Sequence, residues 1–131
     1  MPKKQPVLRE HWKDEPDEHD FPAAADYLSL LFPEPAVAAL VDALRGAEKV
    51  DRKAKDLLRA SRLPLLDAAN PHVAADLKKV ARGVQLSPVL LVRGDGGTST
   101  PLLVADGYHR ICASYRLDEN ADIPCRVVDL P

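Results

Sequence analysis

The sequence has little cysteine, few aromatic residues and no excess of either charge. Its two cysteines, Cys112 and Cys125, lie in apolar stretches without a C-x-x-C motif, so we expect reduced core thiols and no structural zinc. Aromatic residues make up 5%, too few for a surface on which single-stranded nucleic acid could stack. Eighteen basic and 20 acidic residues give a net charge of −2, which makes nucleic acid an unlikely partner.

Long apolar runs are also missing. No segment approaches the roughly 18–20 apolar residues that a membrane span needs. Residues 1–13 are polar and mixed in charge, which is unlike a secretory signal. We therefore expect a cytoplasmic protein with no membrane partner. The 46% of hydrophobic residues is enough for one core, and 131 residues is the length of a single domain.

The N-terminal half of the chain is predicted to be an arm followed by helices. Residues 1–21 show no hydrophobic period and predict a polar arm, pinned to the body by Trp12 or Phe21. Residues 22–61 predict an α-helical cap. The predicted helices are, in order, one over 23–32, one over 37–44 that ends at Gly46, and one over 52–60 capped by Asp51.

Residues 62–131 predict a mixed α/β core with short strands. The predicted elements are, in chain order, an edge strand at 62–66, a helix between the cap Asn70 and the stop Gly83, strands at 88–92 and 102–105, a helix at 108–117 and a last strand at 123–128. The fold class is therefore α/β, in the α+β sense, with a small mixed sheet preceded by the helical cap. We expect one compact domain overall.

One short segment contains most of the residues suited to chemistry. A predicted buried strand leads into Asp106 and Gly107, and a helix opens immediately afterwards. Such a turn directs backbone N–H groups and the positive end of the helix dipole at one point, and a glycine lets a ligand approach closely. His109 and Arg110 add donors, and Arg110 could bind a phosphate through two hydrogen bonds. Alternatively, Asp106 only caps the helix, Gly107 only makes the turn and Arg110 is an exposed charge.

This segment resembles the signature of a known superfamily. The run DGYHR at 106–110 is similar to the DG-x-HR motif of the ParB/sulfiredoxin-like superfamily, also called the ParB-like nuclease domain. LSPVLLV at residues 86–92 resembles that family's L-x-P-[IV]-x-V strand, and IPCRVV at residues 123–128 resembles its closing strand. The resemblance covers roughly residues 62–129 and leaves residues 20–60 without a counterpart. We expect a small bacterial subgroup with an N-terminal helical extension.

The resemblance implies a nucleotide-phosphate pocket around Gly107, Tyr108, His109 and Arg110. Sulfiredoxins have a cysteine at the position of Tyr108, so their thiol nucleophile is missing here. The free-serine kinases of the superfamily share the Asp-Gly-x-His-Arg form more closely, and they use carboxylates to bind metal and as a base. By this comparison Asp106 and His109 are the expected catalytic residues, and ATP or another nucleotide is the expected ligand.

Further residues are predicted to complete the pocket. A carboxylate at Asp106 would repel a phosphate unless Mg²⁺ lies between them or Asp106 is a proton acceptor. Mg²⁺ binds through one or two carboxylates together with phosphates. Asp67 is the candidate for a second metal ligand, with a solvated loop acid as its alternative. Lys79 and Arg82 could face the phosphates or form an ordinary solvated helix face. Ser87 could contact the ligand or cap its strand.

Three functions remain open from the sequence. The first is Mg²⁺-dependent phosphoryl transfer from ATP to a small hydroxyl acceptor. The second is a non-catalytic module that senses a nucleotide or binds a protein partner. The third, supported least because of the charge balance, is a nuclease-like or DNA-associated role.

Overall fold

The computed structural model describes residues 9–131 as a four-stranded sheet with helices on both faces. Its elements are, in chain order, α1 (Asp20–Leu28), α2 (Glu34–Gly46), β1 (Lys49–Lys53), α3 (Ala54–Ser61), α4 (Pro71–Ala81), β2 (Val89–Val92), β3 (Leu103–Asp106), α5 (Tyr108–Leu117) and β4 (Asp122–Val128). A single turn of 3₁₀ helix, Gly96–Thr98, lies between β2 and β3. The predicted α/β class with a small mixed sheet is confirmed.

The sheet has the strand order β1-β4-β2-β3. The central strands β2 and β4 run parallel, while β1 is antiparallel to β4 and β3 is antiparallel to β2. All four residues of β2 are buried, because helices cover the sheet on both sides. This explains why β2 appears in the sequence as an uninterrupted apolar run.

Two apolar clusters hold the helical layers to the sheet. Alternate residues of a strand point to opposite faces, so Val89 and Leu91 join one cluster while Leu90 and Val92 join the other. The first cluster buries residues of α3, α4 and α5, and the second buries residues of α1 and α2. The order of layers is therefore α1 and α2, then the sheet, then α3 to α5.

The expectation of a purely helical segment over 22–61 is wrong at residues 49–53. These residues form β1, in which Val50 lies opposite Cys125 of β4. The third helix starts at Ala54, so Asp51 is a strand residue and not its cap. The sequence Lys-Val-Asp-Arg-Lys has one apolar residue and is mostly exposed, which is why its periodicity does not indicate a strand. The predicted edge strand at 62–66 is also wrong, since these residues form no strand.

The first helix and the arm also differ from expectation. The helix begins at Asp20 and ends at Leu28, four residues before the predicted end. Residues 1–8 of the predicted polar arm lie outside the described residues. In the remainder, Trp12 forms an isolated bridge with Leu86, and Phe21 is buried. The two predicted anchors of the arm therefore both contact the body.

Helix α4 starts where the sequence predicts. The Asn70 side chain accepts hydrogen bonds from the backbone N–H groups of His72 (3.0 Å) and Val73 (3.2 Å), and Pro71 occupies the first helical position. Gly83 follows the helix with a φ of +71°. This start fixes which side chains of α4 face α5 and therefore matters for the site.

Candidate functional site

The end of β3, the start of α5 and one face of α4 line a cavity of about 210 Å³. Its lining residues are His72, Ala75, Asp76, Lys79, Asp106, Gly107, His109 and Arg110. The four residues from α4 follow the i, i+3, i+4, i+7 pattern, so they share one face of that helix. The cavity therefore joins this face of α4 to the motif at the end of β3.

Gly107 allows β3 to pass directly into α5. Its φ is +110°, a region that other residues rarely adopt. A Cβ atom at this position would overlap the side chain of Val89 and lie 2.9 Å from Nη2 of Arg110. The glycine is thus required by close packing against β2, in addition to any approach of a ligand.

Arg110 lies between two carboxylates. Its Nη2 donates to Oδ2 of Asp106 at 2.9 Å and to the carbonyl oxygen of Pro88 at 3.4 Å, and its Nη1 lies 4.0 Å from Oδ1 of Asp20. Asp20 is 2% exposed and accepts a 2.6 Å hydrogen bond from Oγ of Ser87. The alternative of an exposed Arg110 is therefore wrong. The guanidinium instead fixes the position of Asp106.

Asp106 is a half-buried acid and does not cap α5. Helix α5 has no side-chain cap, and the Asp106 carboxylate is bonded to Arg110, so the capping alternative is wrong. Burial raises the pKa of Asp106 above its ordinary value, although Arg110 acts to lower it, and the neighbouring Asp20 raises it further. Two carboxyl groups share one guanidinium, so Asp106 can accept a proton or a cation.

A second buried acid and two imidazoles complete the lining. Asp76 is 8% exposed, and burial raises its pKa although Nζ of Lys79 lies 3.9 Å from its Oδ1. The rings of His72 and His109 lie 4.7 Å apart between centroids. Burial, together with His72, lowers the pKa of His109, so this imidazole is mainly neutral at pH 7 and can accept a proton.

Five of the predicted site residues line the cavity and four do not. The cavity contains Lys79, Asp106, Gly107, His109 and Arg110. The residues outside its lining are Asp67, Arg82, Ser87 and Tyr108.

Each of these four residues has another local role or place. The carboxylate of Asp67 accepts a 2.8 Å bond from the N–H of Ala69, in the turn before α4. The hydroxyl of Tyr108 donates to the carbonyl of Pro64. Ser87 is bonded to Asp20, and Arg82 is the exposed residue after α4.

Three residues of the site are absent from the sequence prediction. His72 and Asp76 precede Lys79 by seven and three positions, a helical spacing that becomes informative once α4 is placed against α5. Asp76, and not Asp67, is therefore the second carboxylate of the cavity. Asp20 reaches Arg110 from the other side of the sheet, and no local pattern in the sequence indicates this contact.

A second acidic group at the start of α1 shares Asp20 with the candidate site. Ligand atoms of Asp17, His19 and Asp20 come within 4.8 Å of one another. The Asp17 carboxylate accepts a 2.6 Å bond from Lys13, which lowers its pKa, and Asp20 accepts the bond from Ser87. These carboxylates are therefore already engaged by donors of the protein.

Comparison with models of protein families, with curated proteins and with solved structures finds no match to this chain. Within residues 9–131, no helix has both the length and the apolar character needed to cross a membrane.

Proposed function

We propose that the protein binds the phosphate groups of ATP or another nucleotide, together with Mg²⁺, and transfers a phosphoryl group to a small hydroxyl acceptor. The observation that carries this proposal is the meeting of the buried carboxylate of Asp76 and the half-buried carboxylate of Asp106 with the cations Lys79 and Arg110 in one cavity. Carboxylate oxygens are the ligands that Mg²⁺ uses beside phosphates, and cations neutralise the phosphate charge. The resemblance of residues 106–110 to the DG-x-HR motif supports the same function.

The lining residues fit distinct roles in such a reaction. Asp76 and Asp106 would hold Mg²⁺, which supplies charge neutralisation at the phosphates. Lys79 faces the transferred group, and neutral His109 accepts the proton of the acceptor hydroxyl. Arg110 positions Asp106 through their 2.9 Å bond and has a smaller part in holding phosphate than the sequence alone suggests.

The size of the cavity limits what it encloses. About 210 Å³ is below the roughly 300–1,000 Å³ of sites that enclose drug-sized ligands. We therefore place the phosphates and the metal in the cavity, and the base and sugar of the nucleotide on the adjoining surface. We also infer a cytoplasmic location, since Cys112 and Cys125 are both buried and unpaired.

A non-catalytic nucleotide sensor is the second candidate function. The observation that favours it is the approach of Arg110 to Asp20, the first residue of α1. A metal bound by Asp106 would weaken the hydrogen bond that Arg110 donates to Asp106. A shift of Arg110 would then change its contact with Asp20 at the start of α1. A protein partner could then recognise α1.

The test is release of ADP from ATP and Mg²⁺, alone and with a panel of free amino acids and other small hydroxyl acceptors. We expect Asp106→Asn and Asp76→Asn to fold and to react at least about 100-fold more slowly than the unchanged protein. Asp26→Asn, which alters an exposed acid of α1, is the matched control and should react normally.

Two results separate the candidates. If the unchanged protein releases no ADP above a heat-killed control with any acceptor, phosphoryl transfer is excluded. An increase in melting temperature with ATP and Mg²⁺ that is lost in Asp106→Asn would then favour the sensor, because a ligand of the native state stabilises it. No increase with ATP, CTP, GTP or ADP would exclude both functions.

A further inference from the structure

A larger cavity lies at the opposite end of β2 and β3 from the candidate site. Its volume is about 510 Å³, and none of its lining residues belongs to the first cavity. It is bounded by α3 and by the loop from Arg93 to Leu102. Because β2 and β3 are antiparallel, Arg93 and Leu102 lie at the end of this strand pair that is remote from Asp106.

The rim of this cavity is strongly basic. Four exposed arginines line the cavity, which we call the arginine cavity. They are Arg52 of β1, Arg59 of α3, Arg62 after α3 and Arg93 after β2. Its lining contains a single acid, Asp56. The whole chain has a net charge of −2, so this cluster is a local concentration of positive charge.

The arginines are held only in part by other groups of the protein. Arg93 pairs with Asp129 at 2.9 Å, and Arg62 donates to the carbonyl of Ser99 at 3.0 Å. Arg59 lies 3.7 Å from Asp56, with its own side chain 82% exposed. Nη1 of Arg52 donates a 3.2 Å hydrogen bond to the backbone carbonyl of the adjacent residue, Asp51. Arg52 and Arg59 are therefore the cations best placed to pair with an incoming anion.

The floor of the arginine cavity is apolar. Leu57 of α3 and Leu91 of β2 are buried beneath it, and Leu102 and Val127 are half-buried at its sides. Such a floor favours an organic ligand over a free inorganic anion, because apolar surface is removed from water on binding.

We propose that the arginine cavity binds a small organic dianion. Its phosphate or carboxylate oxygens pair with Arg52 and Arg59, and its apolar part packs on the half-buried side chains of Leu102 and Val127. The planar guanidinium group matches both kinds of oxyanion through paired hydrogen bonds. A volume of about 510 Å³ lies in the range of small-molecule sites. This site is independent of the function proposed for the first cavity.

Calorimetry with naphthyl phosphate, naphthalene-2,3-dicarboxylate and naphthol tests the proposal. We expect saturable binding of at least one of the two dianions, and the tighter of them identifies the preferred head group. Naphthol, which lacks the charge, should bind at least about tenfold more weakly, the scale of a hydrogen bond to a charged group. The backbone amide resonances of Gly94 and Gly96, which line the cavity, should shift on titration.

Matched variants locate the binding. The double variant Arg52→Ala/Arg59→Ala should melt normally and bind the dianion about tenfold or more weakly. Arg9→Ala/Lys78→Ala removes the same charge from exposed positions outside the cavity, and should bind within about twofold of the unchanged protein. Asp106→Asn should also leave this binding unchanged, which separates it from the proposed nucleotide site.

Four results would overturn the proposal. They are no saturable binding of either dianion, equal binding of naphthol, an equal loss of affinity in the Arg9/Lys78 variant, and resonance shifts at Gly107 without shifts at Gly94 and Gly96. A failure of ATP to bind or react would leave it standing, because none of these measurements involves the first cavity.

Discussion

The two ends of the β2–β3 strand pair handle charge in opposite ways. At one end Arg110 is 16% exposed and lies against Asp106 and Asp20, which are also largely removed from water. At the other end four exposed arginines line a cavity whose lining includes one acid, Asp56. Buried charges must be balanced inside the protein, because an unpaired one costs several kcal/mol, whereas exposed pairs contribute about 0–1 kcal/mol. The charges at the first end therefore contribute to the stability of the fold, whereas the arginines at the second end can pair with a ligand without loss of stability.

The largest effect that tests this contrast is expected for Arg110→Ala. The substitution leaves Asp106 and Asp20 without their shared cation, and we expect a loss of about 3–5 kcal/mol in the free energy of unfolding at pH 7. Arg59→Ala, the matched change in the arginine cavity, should alter it by no more than about 0.5 kcal/mol. Urea unfolding measures both.

The loss in the Arg110→Ala variant should also depend on pH. The pKa of Asp106 in the folded protein is already above its ordinary value of 3.8, and removing Arg110 removes a group that lowers it. The folded state therefore holds the proton more tightly than the unfolded state. Stability is lost as the pH rises through the window above 3.8, so the loss should be smaller at pH 4 than at pH 7. The contrast between the two ends of the strand pair would be wrong if Arg110→Ala lost equal stability at pH 4 and pH 7. It would also be wrong if Arg110→Ala and Arg59→Ala lost equal stability.

A smaller effect is expected for Gly107→Ala. The left-handed φ and the overlap of the new Cβ with Val89 should together reduce stability by about 2–4 kcal/mol. Gly46→Ala is the control, since a Cβ there meets no atom within 4 Å and the helical backbone accepts alanine. Thermal melting should show a clear decrease for the first variant and none for the second. A silent Gly107→Ala would mean that β3 and α5 can separate from β2.

The smallest effect, of opposite sign, is expected for Asp76→Asn. Burial raises the pKa of Asp76 in the folded state, so its ionised form opposes folding at pH 7. Asparagine removes that charge, and we expect a gain of about 0.5–1 kcal/mol at pH 7 that disappears towards pH 3, where the aspartate is itself protonated. Asp56→Asn in the exposed arginine cavity should show no gain. A loss of stability in the Asp76 variant would show that its contact with Lys79 outweighs the cost of burial.

The sequence predicts the local features of this molecule well and its long-range contacts poorly. The start of α4 and the passage from β3 into α5 depend on Asn70 and Gly107, whose backbone preferences act within a few residues. By contrast, β1 is a strand only because it pairs with β4, and its charged residues have no strand period. The motif at 106–110 indicates one wall of the candidate site.

The remaining parts of the site depend on packing between distant segments. Asp76 lines the same cavity as Asp106 because α4 packs on α5, and Asp20 reaches Arg110 across the sheet edge. Neither contact leaves a periodic signal in the sequence. The raised pKa values of both cavity acids follow from burial, which depends on the completed fold.

The position of β4 has a consequence for how the chain acquires its fold. This strand is the last in the sequence but lies between β1 and β2 at the centre of the sheet. During synthesis, neither β1 nor β2 can pair with β4 until residues 122–128 have been made. Until β4 has formed, β2 lacks one of its two neighbouring strands, and the apolar surfaces of β2 and of the helices that cover it are incompletely buried. Nascent chains with exposed apolar surface and unpaired strand edges are prone to aggregate. Formation of the whole sheet thus depends on residues 122–128, so folding of this protein is expected to be completed late and to depend on contacts between distant segments.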